Sequence, residues 1–351
     1  MDFIEIDGSQ GEGGGQILRT CTSLSAILGI PIRITNIRAG RERPGLRPQH
    51  LQALRSAAEV TNSKGSGAEI GSTRIEFSPG KPPAKVSKRI DTGTAGSVTL
   101  IAQTLIPIGI FSGIELDVEV IGGTEVPASP TIDYLQKIVL PVYRLIGGDV
   151  EIELLRRGYY PKGGGSIRVR VLKSRAIKPL DMAREISHSA TKILLASRLL
   201  PLHVSERERR SIEELLAQRG ITDVEIETDT YSESFSPGNS VLIYRQSKTE
   251  LVGSSAIGEK GRSAEVVGQD AANLFLAETK REPNVDSHLA DMIVTLSSCI
   301  EGKSSFITSK LTNHLKTNLQ VASIMTGSTF QLRENDKGLQ VEITGRAEKP
   351  N

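Results

Sequence analysis

The chain has 351 residues, more than one small domain needs, and 38% of them are apolar, which is enough for sizeable cores. Its net charge of +2 and its aromatic content of 4% exclude a broadly basic nucleic-acid coat and extensive base stacking, so a nucleic-acid partner would have to bind a local basic cluster. No apolar run of about 18 residues and no basic, apolar leader is present, so we expect a cytoplasmic protein without a membrane partner.

The first part of the chain predicts a supersecondary unit in the order strand, helix, strand, helix, strand, strand. Apolar residues recur at helical spacing after the first glycine-rich turn, and Pro48 favours the start of a second helix. In chain order we predict strand 3–6, helix 16–28, strand 32–37, helix 48–61, and strands 68–70 and 73–77.

The same order recurs once completely and once with an interruption. The second unit is predicted as strand 86–90, helix 96–108, strand 114–121, helix 131–145, and strands 150–155 and 166–171. The recognisable part of the third unit is helix 285–300, strand 305–311, helix 313–325, and strands 329–333 and 339–343. Each unit offers a sheet with one apolar face and two amphipathic helices, so we expect the units to pack their helices inward.

Residues 184–279 interrupt the third unit and have a pattern of their own. It predicts helix 206–219, strands 224–228, 240–244 and 250–256, and helix 263–278, which is enough for a small inserted domain. The predicted fold class is therefore α+β, built from α/β repeats. Three repeats of a two-helix, four-stranded-sheet unit occupy residues 1–183 and 280–351, and a smaller α+β domain, residues 184–279, is inserted in the third repeat.

The first candidate site is the glycine-rich turn Asp7-Gly-Ser-Gln-Gly-Glu-Gly-Gly-Gly-Gln16, between a predicted strand and a predicted helix. Glycine lets backbone N–H groups approach an anion, and the N-terminus of a helix adds positive potential. Glu12 inside the turn indicates a metal bridge to phosphate, and Arg19, one turn into the helix, would reach the same anion. The alternative is a tight turn that only needs residues with positive φ.

The second candidate is the segment from Arg38 to His50, which contains four arginines, one histidine and a single glutamate. Arginine binds phosphate in a bidentate manner, so such a segment suits a nucleic-acid backbone or a nucleotide. The alternative is a solvated charged loop. Its position directly after a strand of the unit that carries the glycine turn favours the functional interpretation.

His314 is the candidate nucleophile among the five histidines. It stands at the start of a predicted helix whose apolar face includes Leu315 and Leu319, so it need not belong to that face. A helix N-terminus favours a neutral, nucleophilic imidazole. A structural role, which is commoner for a single histidine, stays open. Cys21 and Cys299 lie in apolar helical stretches and predict two buried thiols rather than a disulfide or a zinc site.

Together, these segments resemble the RNA 3'-terminal phosphate cyclase family. The matching stretches occur in order along nearly the whole chain, at residues 7–19, 37–41, 44–46, 49–51, 122–124, 158–165, 258–265 and 314–318. The resemblance implies the three-repeat fold with an inserted domain. It also implies an enzyme that uses ATP to convert the 3'-phosphate end of an RNA to a 2',3'-cyclic phosphate.

The resemblance also implies roles for individual residues. The imidazole that corresponds to His314 attacks the α-phosphate of ATP, AMP passes to the RNA 3'-phosphate, and the neighbouring 2'-hydroxyl displaces AMP as the ring closes. The metal-linked glutamate corresponds to Glu12, with magnesium or manganese as the ion. The nucleotide-binding positions correspond to Arg19, Gln103, His288, Leu289, Ala290, Asp291 and Met292, and the substrate phosphate positions to Arg38, Arg41, Gln49 and His50.

The chain departs from the family's common Tyr-Leu-Ala-Asp-Gln run, because His288 and Met292 replace the tyrosine and the glutamine. Methionine cannot hydrogen-bond adenine as an amide can, which leaves selectivity for ATP open. Two alternatives share the repeated unit: a non-catalytic ribosome-assembly protein that lacks the histidine, and the enolpyruvyl transferases, which lack the His-Leu-Lys-Thr-Asn pattern of residues 314–318. Acid-labile labelling of the protein by ATP would separate all three, and a homo-oligomer stays compatible with the sequence.

Overall fold

The computed structural model describes residues 3–11, 14–174, 176–183 and 189–346. Within them, the helices are α1 Gly15–Leu28, α2 Pro48–Thr61, α3 Val98–Ser112, α4 Ile132–Tyr134, α5 Leu140–Leu145, α6 His203–Ala217, α7 Ala264–Thr279, α8 Ser287–Cys299 and α9 Asn313–Thr326. The strands are β1 Ile4–Asp7, β2 Ile32–Thr35, β3 Lys64–Ser66, β4 Ile75–Ser78, β5 Lys85–Asp91, β6 Glu115–Gly122, β7 Asp149–Arg156, β8 Gly165–Leu172, β9 Thr191–Arg198, β10 Val224–Asp229, β11 Gly238–Gln246, β12 Leu251–Ile257, β13 Gly302–Thr308, β14 Thr329–Asn335 and β15 Gly338–Gly345. None of the helices in this described part is long and apolar enough to cross a membrane.

Two complete repeats confirm the predicted order of elements. The sheet order is β1-β2-β4-β3 in the first repeat and β5-β6-β8-β7 in the second. The first two strands of each sheet run parallel, because a helix connects them, and the other pairs are antiparallel. In both repeats a helix therefore follows the carboxyl end of the first strand, and the glycine-rich turn lies between them.

The third repeat is split by the inserted segment. Its last strands form a sheet in the order β13-β15-β14. Asp181 makes an isolated parallel bridge to Ser305 in β13, in the position that β1 has beside β2. Within the described residues, the first strand of this repeat is a short stretch around Asp181, which is too short for an apolar alternation to reveal it.

The helices of the three repeats pack against one another in the centre, as the amphipathic patterns predict. Helix α1 contacts α2, α3, α8 and α9. Leu24, Leu105, Ala290 and Leu319, one from each of four helices, are buried in this one apolar core. Packing α1 against α9 brings the turns before these two helices together, and this contact positions the candidate site.

The inserted segment forms a sheet in the order β10-β9-β11-β12, which packs with α6 and α7. Ile193, Val241 and Phe275 belong to a core separate from that of the repeats, whereas Leu194 on the other sheet face joins the core of the repeats. The central strand β9 was not predicted, because its run Ile-Leu-Leu-Ala shows neither the alternation of a half-buried strand nor the length of a helix. The assignment of residues 184–279 to a separate domain stays a prediction.

Two local differences from the predicted elements have physical causes. Strand β3 lies at Lys64–Ser66 and not at residues 68–70, because these exposed polar residues pair with β4 through their backbone and show no apolar alternation. The predicted helix 131–145 contains a π-helical turn, Leu135–Val139. Pro141 in the next turn has no N–H group for the helical ladder, so the regular hydrogen-bond pattern cannot continue there.

Candidate active site

His314 lies beside the glycine-rich turn and the arginine segment. Gly14 precedes α1, and a Cβ atom built on it would lie 3.5 Å from Cε1 of His314 and 3.8 Å from Nη2 of Arg41. Gly11 is also close to α9, since its Cβ would overlap Oγ1 of Thr317 at 2.1 Å. Glycine at position 11 therefore lets the turn approach α9, and glycine at position 14 leaves no side chain between the turn and His314.

Hydrogen bonds fix the start of α9, which carries His314 as its second residue. Oγ1 of Thr312 caps the helix by accepting from an N–H group of its first turn at 2.8 Å, and it donates to Oδ1 of Asp291 at 2.7 Å. Nδ2 of Asn318 donates to the carbonyl of Asp291 at 2.9 Å, and Oγ1 of Thr20 donates to Oδ1 of Asn318 at 3.1 Å. These contacts join α1, α8 and α9 around the histidine.

Thr312, Asn318 and Thr20 support the site without having a role predicted from the sequence. Thr312 was recognisable, because a threonine directly before a helical pattern is a common N-cap. Thr20 and Asn318 are 298 residues apart in the chain. No local pattern reveals a pair of polar residues at that separation, so this support of the site could only come from the structure.

His50 lies under the glycine-rich turn rather than open to a ligand. It is 3% exposed, and a Cβ on Gly15 would lie 2.2 Å from its Nε2. Its Nδ1 accepts from the backbone N–H group of Arg47 at 3.2 Å, and its Nε2 is 3.5 Å from the side-chain amide of Gln49. Burial and, after it, the charges of three nearby arginines lower the pKa of His50 to about 3. The ring is therefore neutral at physiological pH, with Nδ1 as its acceptor.

This burial makes His50 a source of acid sensitivity. Below pH 6.5 the unfolded chain protonates His50, whereas the folded protein does so only near pH 3, so the unfolded state binds more protons and the free energy of unfolding falls as the pH falls. Between pH 7 and pH 5 this one group should account for a loss of about 2 kcal/mol. His50→Asn keeps an acceptor for Arg47 but does not titrate, so urea unfolding at both pH values should show a smaller loss. An equal loss in both proteins would show that the folded protein protonates His50.

Arg19, Arg38 and Arg47 concentrate positive charge around this histidine, and no carboxylate of the described residues pairs with them. Burial lowers the pKa of Arg19 to about 10. Burial, followed by the charges of Arg41 and Arg47, also lowers the pKa of Arg38, whose buried Nε has no hydrogen-bond partner in the described part of the chain. An unpaired buried cation is unfavourable, so an anion bound to this cluster would stabilise the folded protein.

Buried residues anchor the base of the arginine segment. Ile37 and Leu46 are buried in the core of the repeats, and the N–H group of Gly45 donates to the carbonyl of Ile37 at 2.8 Å. Gly45 has a φ of 80°, and a Cβ there would overlap the carbonyl oxygen of Gly71 at 2.1 Å. The loop is thus closed at its base, while the side chain of Arg41 within it is exposed.

The residues matched to nucleotide binding fall into separate environments. Arg19, Gln103 and Met292 line one cavity of about 30 Å³, where Nε2 of Gln103 contacts Sδ of Met292 at 3.4 Å. Leu289 and Ala290 are fully buried in the core, so their side chains pack and do not line the cavity. The family resemblance implies nucleotide binding for all five residues, but only Arg19, Gln103 and Met292 line this cavity.

The other residues matched to nucleotide or metal binding also have different surroundings. His288 is exposed in the first turn of α8 and does not line the cavity, and Asp291 is buried and hydrogen-bonded to α9. Glu12, the predicted metal ligand, lies outside the described residues. The described residues contain no group of three or more His, Cys, Asp or Glu side chains placed to hold a metal ion. The metal site therefore stays a prediction.

A family model and the most similar relatives point to one family. A family model described as RNA 3'-terminal phosphate cyclase matches residues 10–332. Three relatives with the same description are each 40% identical to this chain. The protein of Pyrobaculum aerophilum aligns over 97% of this chain and 98% of its own, that of Thermococcus kodakarensis over 95% of each, and that of Archaeoglobus fulgidus over 95% and 98%. The solved enolpyruvyl transferase NikO from Streptomyces tendae aligns over 98% and 82% at 9% identity, but its TM-score of 0.22 carries no argument.

Proposed function

The chain belongs to the RNA 3'-terminal phosphate cyclase family, and we propose that it uses ATP to convert an RNA 3'-terminal phosphate to a 2',3'-cyclic phosphate, through a covalent histidine–AMP intermediate and an RNA-adenylate. One observation carries the mechanistic part of the proposal. His314 and Arg41 lie within 3.8 Å of the Cβ position of Gly14, so a candidate nucleophile and a cation meet at a backbone surface that has no side chain.

His314 is the proposed nucleophile of the first step. One ring nitrogen attacks the α-phosphorus of ATP, the N–P bond forms as the P–O bond to pyrophosphate breaks, and the ring loses a proton from its other nitrogen to solvent. Negative charge grows on the phosphate during this step. The N–H groups in the first turn of α9 and the guanidinium of Arg41 are the groups proposed to stabilise it.

The RNA enters in the second step. An oxygen of its 3'-phosphate attacks the phosphorus of AMP and breaks the N–P bond, and the departing ring takes up a proton from solvent, which restores neutral His314. The neighbouring 2'-hydroxyl oxygen then attacks the 3'-phosphorus, loses its proton to solvent, and displaces AMP. The guanidinium of Arg38 supports a phosphate site here, because it donates only to the carbonyl of Arg43 at 3.4 Å, and a cation without a carboxylate partner among the described residues favours a bound anion.

The described residues suit the triphosphate of ATP better than its adenine base. The arginine cluster suits a triphosphate, but the cavity beside Gln103 and Met292, at about 30 Å³, has room for only about two water molecules. Adenine would therefore enter it only if the side chains that line it move apart. Glu12 and the phosphate oxygens are the proposed metal ligands, and a bound ion would neutralise charge on the phosphates.

Incubation with ATP and a 3'-phosphorylated oligoribonucleotide tests the proposed function. The end should become resistant to phosphatase, and α-labelled ATP without RNA should leave an acid-labile label on the protein. A non-catalytic ribosome-assembly protein would produce neither result. An enolpyruvyl transferase would leave the RNA end sensitive to phosphatase, so either outcome contradicts the proposal.

Arg41→Ala should lower kcat/KM for cyclisation by at least about tenfold, because it removes the cation beside His314 and Gly14. The side chain is exposed, so the melting temperature should stay unchanged. Arg43→Ala is the matched control, since Arg43 is exposed in the same loop and lies more than 4 Å from the Cβ position of Gly14. Cyclisation at sub-saturating RNA that is equal in both variants would contradict a role of Arg41 in the site.

A further inference from the structure

Exposed apolar side chains gather at one edge of the inserted sheet, outside the site described above. The exposed fractions are 78% for Tyr231, 69% for Leu202, 64% for Leu199, 59% for Phe235 and 57% for Tyr160. At this edge β9 and β10 end and β11 begins, because Arg198 pairs with Gly238. The loops 199–202 and 230–237 therefore lie side by side. A grouping of this kind on a protein surface marks an interaction site more often than isolated exposed residues do.

Direct contacts bring the turn 158–165 of the second repeat to the same edge. The N–H group of Arg157 donates to the carbonyl of Glu233 at 2.8 Å, and that of Phe235 donates to the carbonyl of Arg157 at 3.2 Å. A Cβ on Gly164 would lie 2.6 Å from the ring of Phe235, and the guanidinium of Arg156 is 5.6 Å from the centre of that ring. Tyr160 in this turn and Phe235 thus belong to one surface, which we call the aromatic edge.

A third loop joins the aromatic edge through β11. The N–H group of Gly258 donates to the carbonyl of Asn239 at 2.9 Å, and Asn239 follows Gly238 at the start of β11. The residues 158–165 and 258–265 are two of the stretches that match the family, and neither has a part in the chemistry proposed for His314. Because these two stretches lie at the same edge, we expect them to serve one function.

Positive charge surrounds the aromatic edge. Its basic side chains outside ion pairs are Arg156, Lys162, Arg198 and Lys260, and its exposed acidic side chains outside ion pairs are Glu233 and Glu259. Arg262 and Glu265 of the third loop pair with Asp270 and Arg207. Lys162 and Lys260 are exposed and form no ion pair within the described residues, and the buried Nε of Arg198 has no hydrogen-bond partner there. The surface therefore combines aromatic rings with cations that are free to meet phosphate groups.

Contacts also connect this surface with the candidate active site. A Cβ on Gly163 would lie 2.7 Å from Cα of Ala95, so the turn that carries Tyr160 packs against the loop 92–97. On its other side, that loop accepts a hydrogen bond of 3.2 Å from Nε2 of Gln52 to the carbonyl of Thr92. Gln52 is two residues after His50 in α2. The loop 92–97 thus stands between the active site and the aromatic edge.

We infer that Tyr160, Tyr231 and Phe235 stack on unpaired bases of the RNA, upstream of its 3'-phosphate, with Lys162 and Lys260 beside its backbone. This inference rests on the proposed function, because it assumes an RNA end at His314. Aromatic faces stack on any base and cations follow the backbone, so the surface suits a single strand without a sequence preference. A second protein would instead favour an apolar centre depleted of unpaired charge.

Anisotropy of a labelled, 3'-phosphorylated oligouridylate of about twelve nucleotides tests the inference without ATP, and so without catalysis. The double variant Tyr160→Ala, Tyr231→Ala should bind at least about tenfold more weakly, since each lost stack weakens binding about fivefold or more. Tyr160→Phe with Tyr231→Phe should bind as the wild type does. Leu274→Ala in α7 is the control for the loss of an exposed apolar side chain, because Leu274 is 51% exposed elsewhere on the inserted segment.

The length of the oligonucleotide and the oligomeric state of the protein provide two further tests. A trinucleotide that reaches only the active site should bind the wild type and the double alanine variant equally. Equal binding of the long strand by both proteins, or no binding of it by the wild type, would overturn the inference. A change of oligomeric state in the alanine variant with unchanged RNA binding would assign the edge to a second copy instead. Binding that depends on the tyrosines without cyclisation would refute the proposed function and, with it, the RNA end at His314, and would leave only single-strand binding at the aromatic edge.

Discussion

His314→Asn should lower both AMP labelling of the protein and cyclisation of RNA by at least about 10³-fold. The proposed reaction needs a group that attacks phosphorus without a strong base and then leaves again, and neutral imidazole does both. The thiols cannot replace it. Burial raises the pKa of Cys299 to about 12 and the pKa of Cys21 well above its usual range, so both stay protonated and unreactive.

The expected loss is chemical rather than structural. His314 is half-buried in the first turn of α9, and the hydrogen bonds of Thr312 and Asn318 that fix this turn do not involve its ring. The variant should therefore melt at nearly the same temperature as the wild type. His203→Asn is the matched control, because His203 also stands in the first turn of a helix, on the inserted segment, and should leave both reactions unchanged.

The residue that carries AMP decides whether His314 is the nucleophile. Mass spectrometry of protein treated with ATP should find the AMP mass on the peptide that contains His314. The variant should still close a pre-adenylated RNA end slowly, because that last step needs no nucleophile from the protein. AMP on a lysine or on His50 would contradict the assignment, although His50 is the less accessible ring at 3% exposure.

Local signals explain which elements the sequence predicts well. Helix α2 is predicted and found at residues 48–61, because Pro48 fixes its first turn and Asn62 ends it in the left-handed conformation. The start of α9 is likewise marked by Thr312. By contrast, β9 and the short strand around Asp181 depend on partners far along the chain, and neither has a local pattern that would reveal it.

In the candidate site, too, local patterns could be predicted from the sequence and features that depend on distant packing could not. The glycine turn, Arg41 and His314 each carry a local pattern, and the structure brings these three segments together. The burial of His50 and the small cavity at Gln103 depend on the packing of several helices, so the sequence could not distinguish them from open binding positions. Residue type alone indicates what a side chain can do, but its surroundings decide whether a ligand can reach it.

Arg157 is the centre of a buried ion-pair network that no local sequence pattern predicts. It is 2% exposed, and its guanidinium contacts Glu125 at 2.6 Å, Asp133 at 2.8 Å and Asp229 at 2.8 Å. These partners lie 32, 24 and 72 residues away along the chain. Burial alone would lower the pKa of Arg157, but the charges of Asp133 and Glu125 raise it above its usual value. The network joins the second repeat to β10 of the inserted segment.

Arg157→Met should lower the free energy of unfolding by about 3–5 kcal/mol, because methionine keeps the apolar length of the side chain but leaves buried carboxylates without a cation. Arg168→Met is the matched control. Its guanidinium also contacts one carboxylate through two nitrogens, at 2.6 and 2.7 Å from Asp117, but the side chain is 40% exposed. Solvent screens that pair, so urea unfolding should show a much smaller loss for Arg168→Met.

The pH dependence of the Arg157→Met loss tests its cause. Burial already raises the pKa of Glu125 to about 7 while Arg157 opposes the shift, so removing the guanidinium should raise it further. A carboxyl whose pKa is higher in the folded than in the unfolded state stabilises the fold below its unfolded pKa of about 4.5 and loses this contribution as the pH rises. The loss in Arg157→Met should therefore be larger at pH 8 than at pH 5. A loss that is equal at both pH values would indicate a packing defect instead of unpaired buried charge.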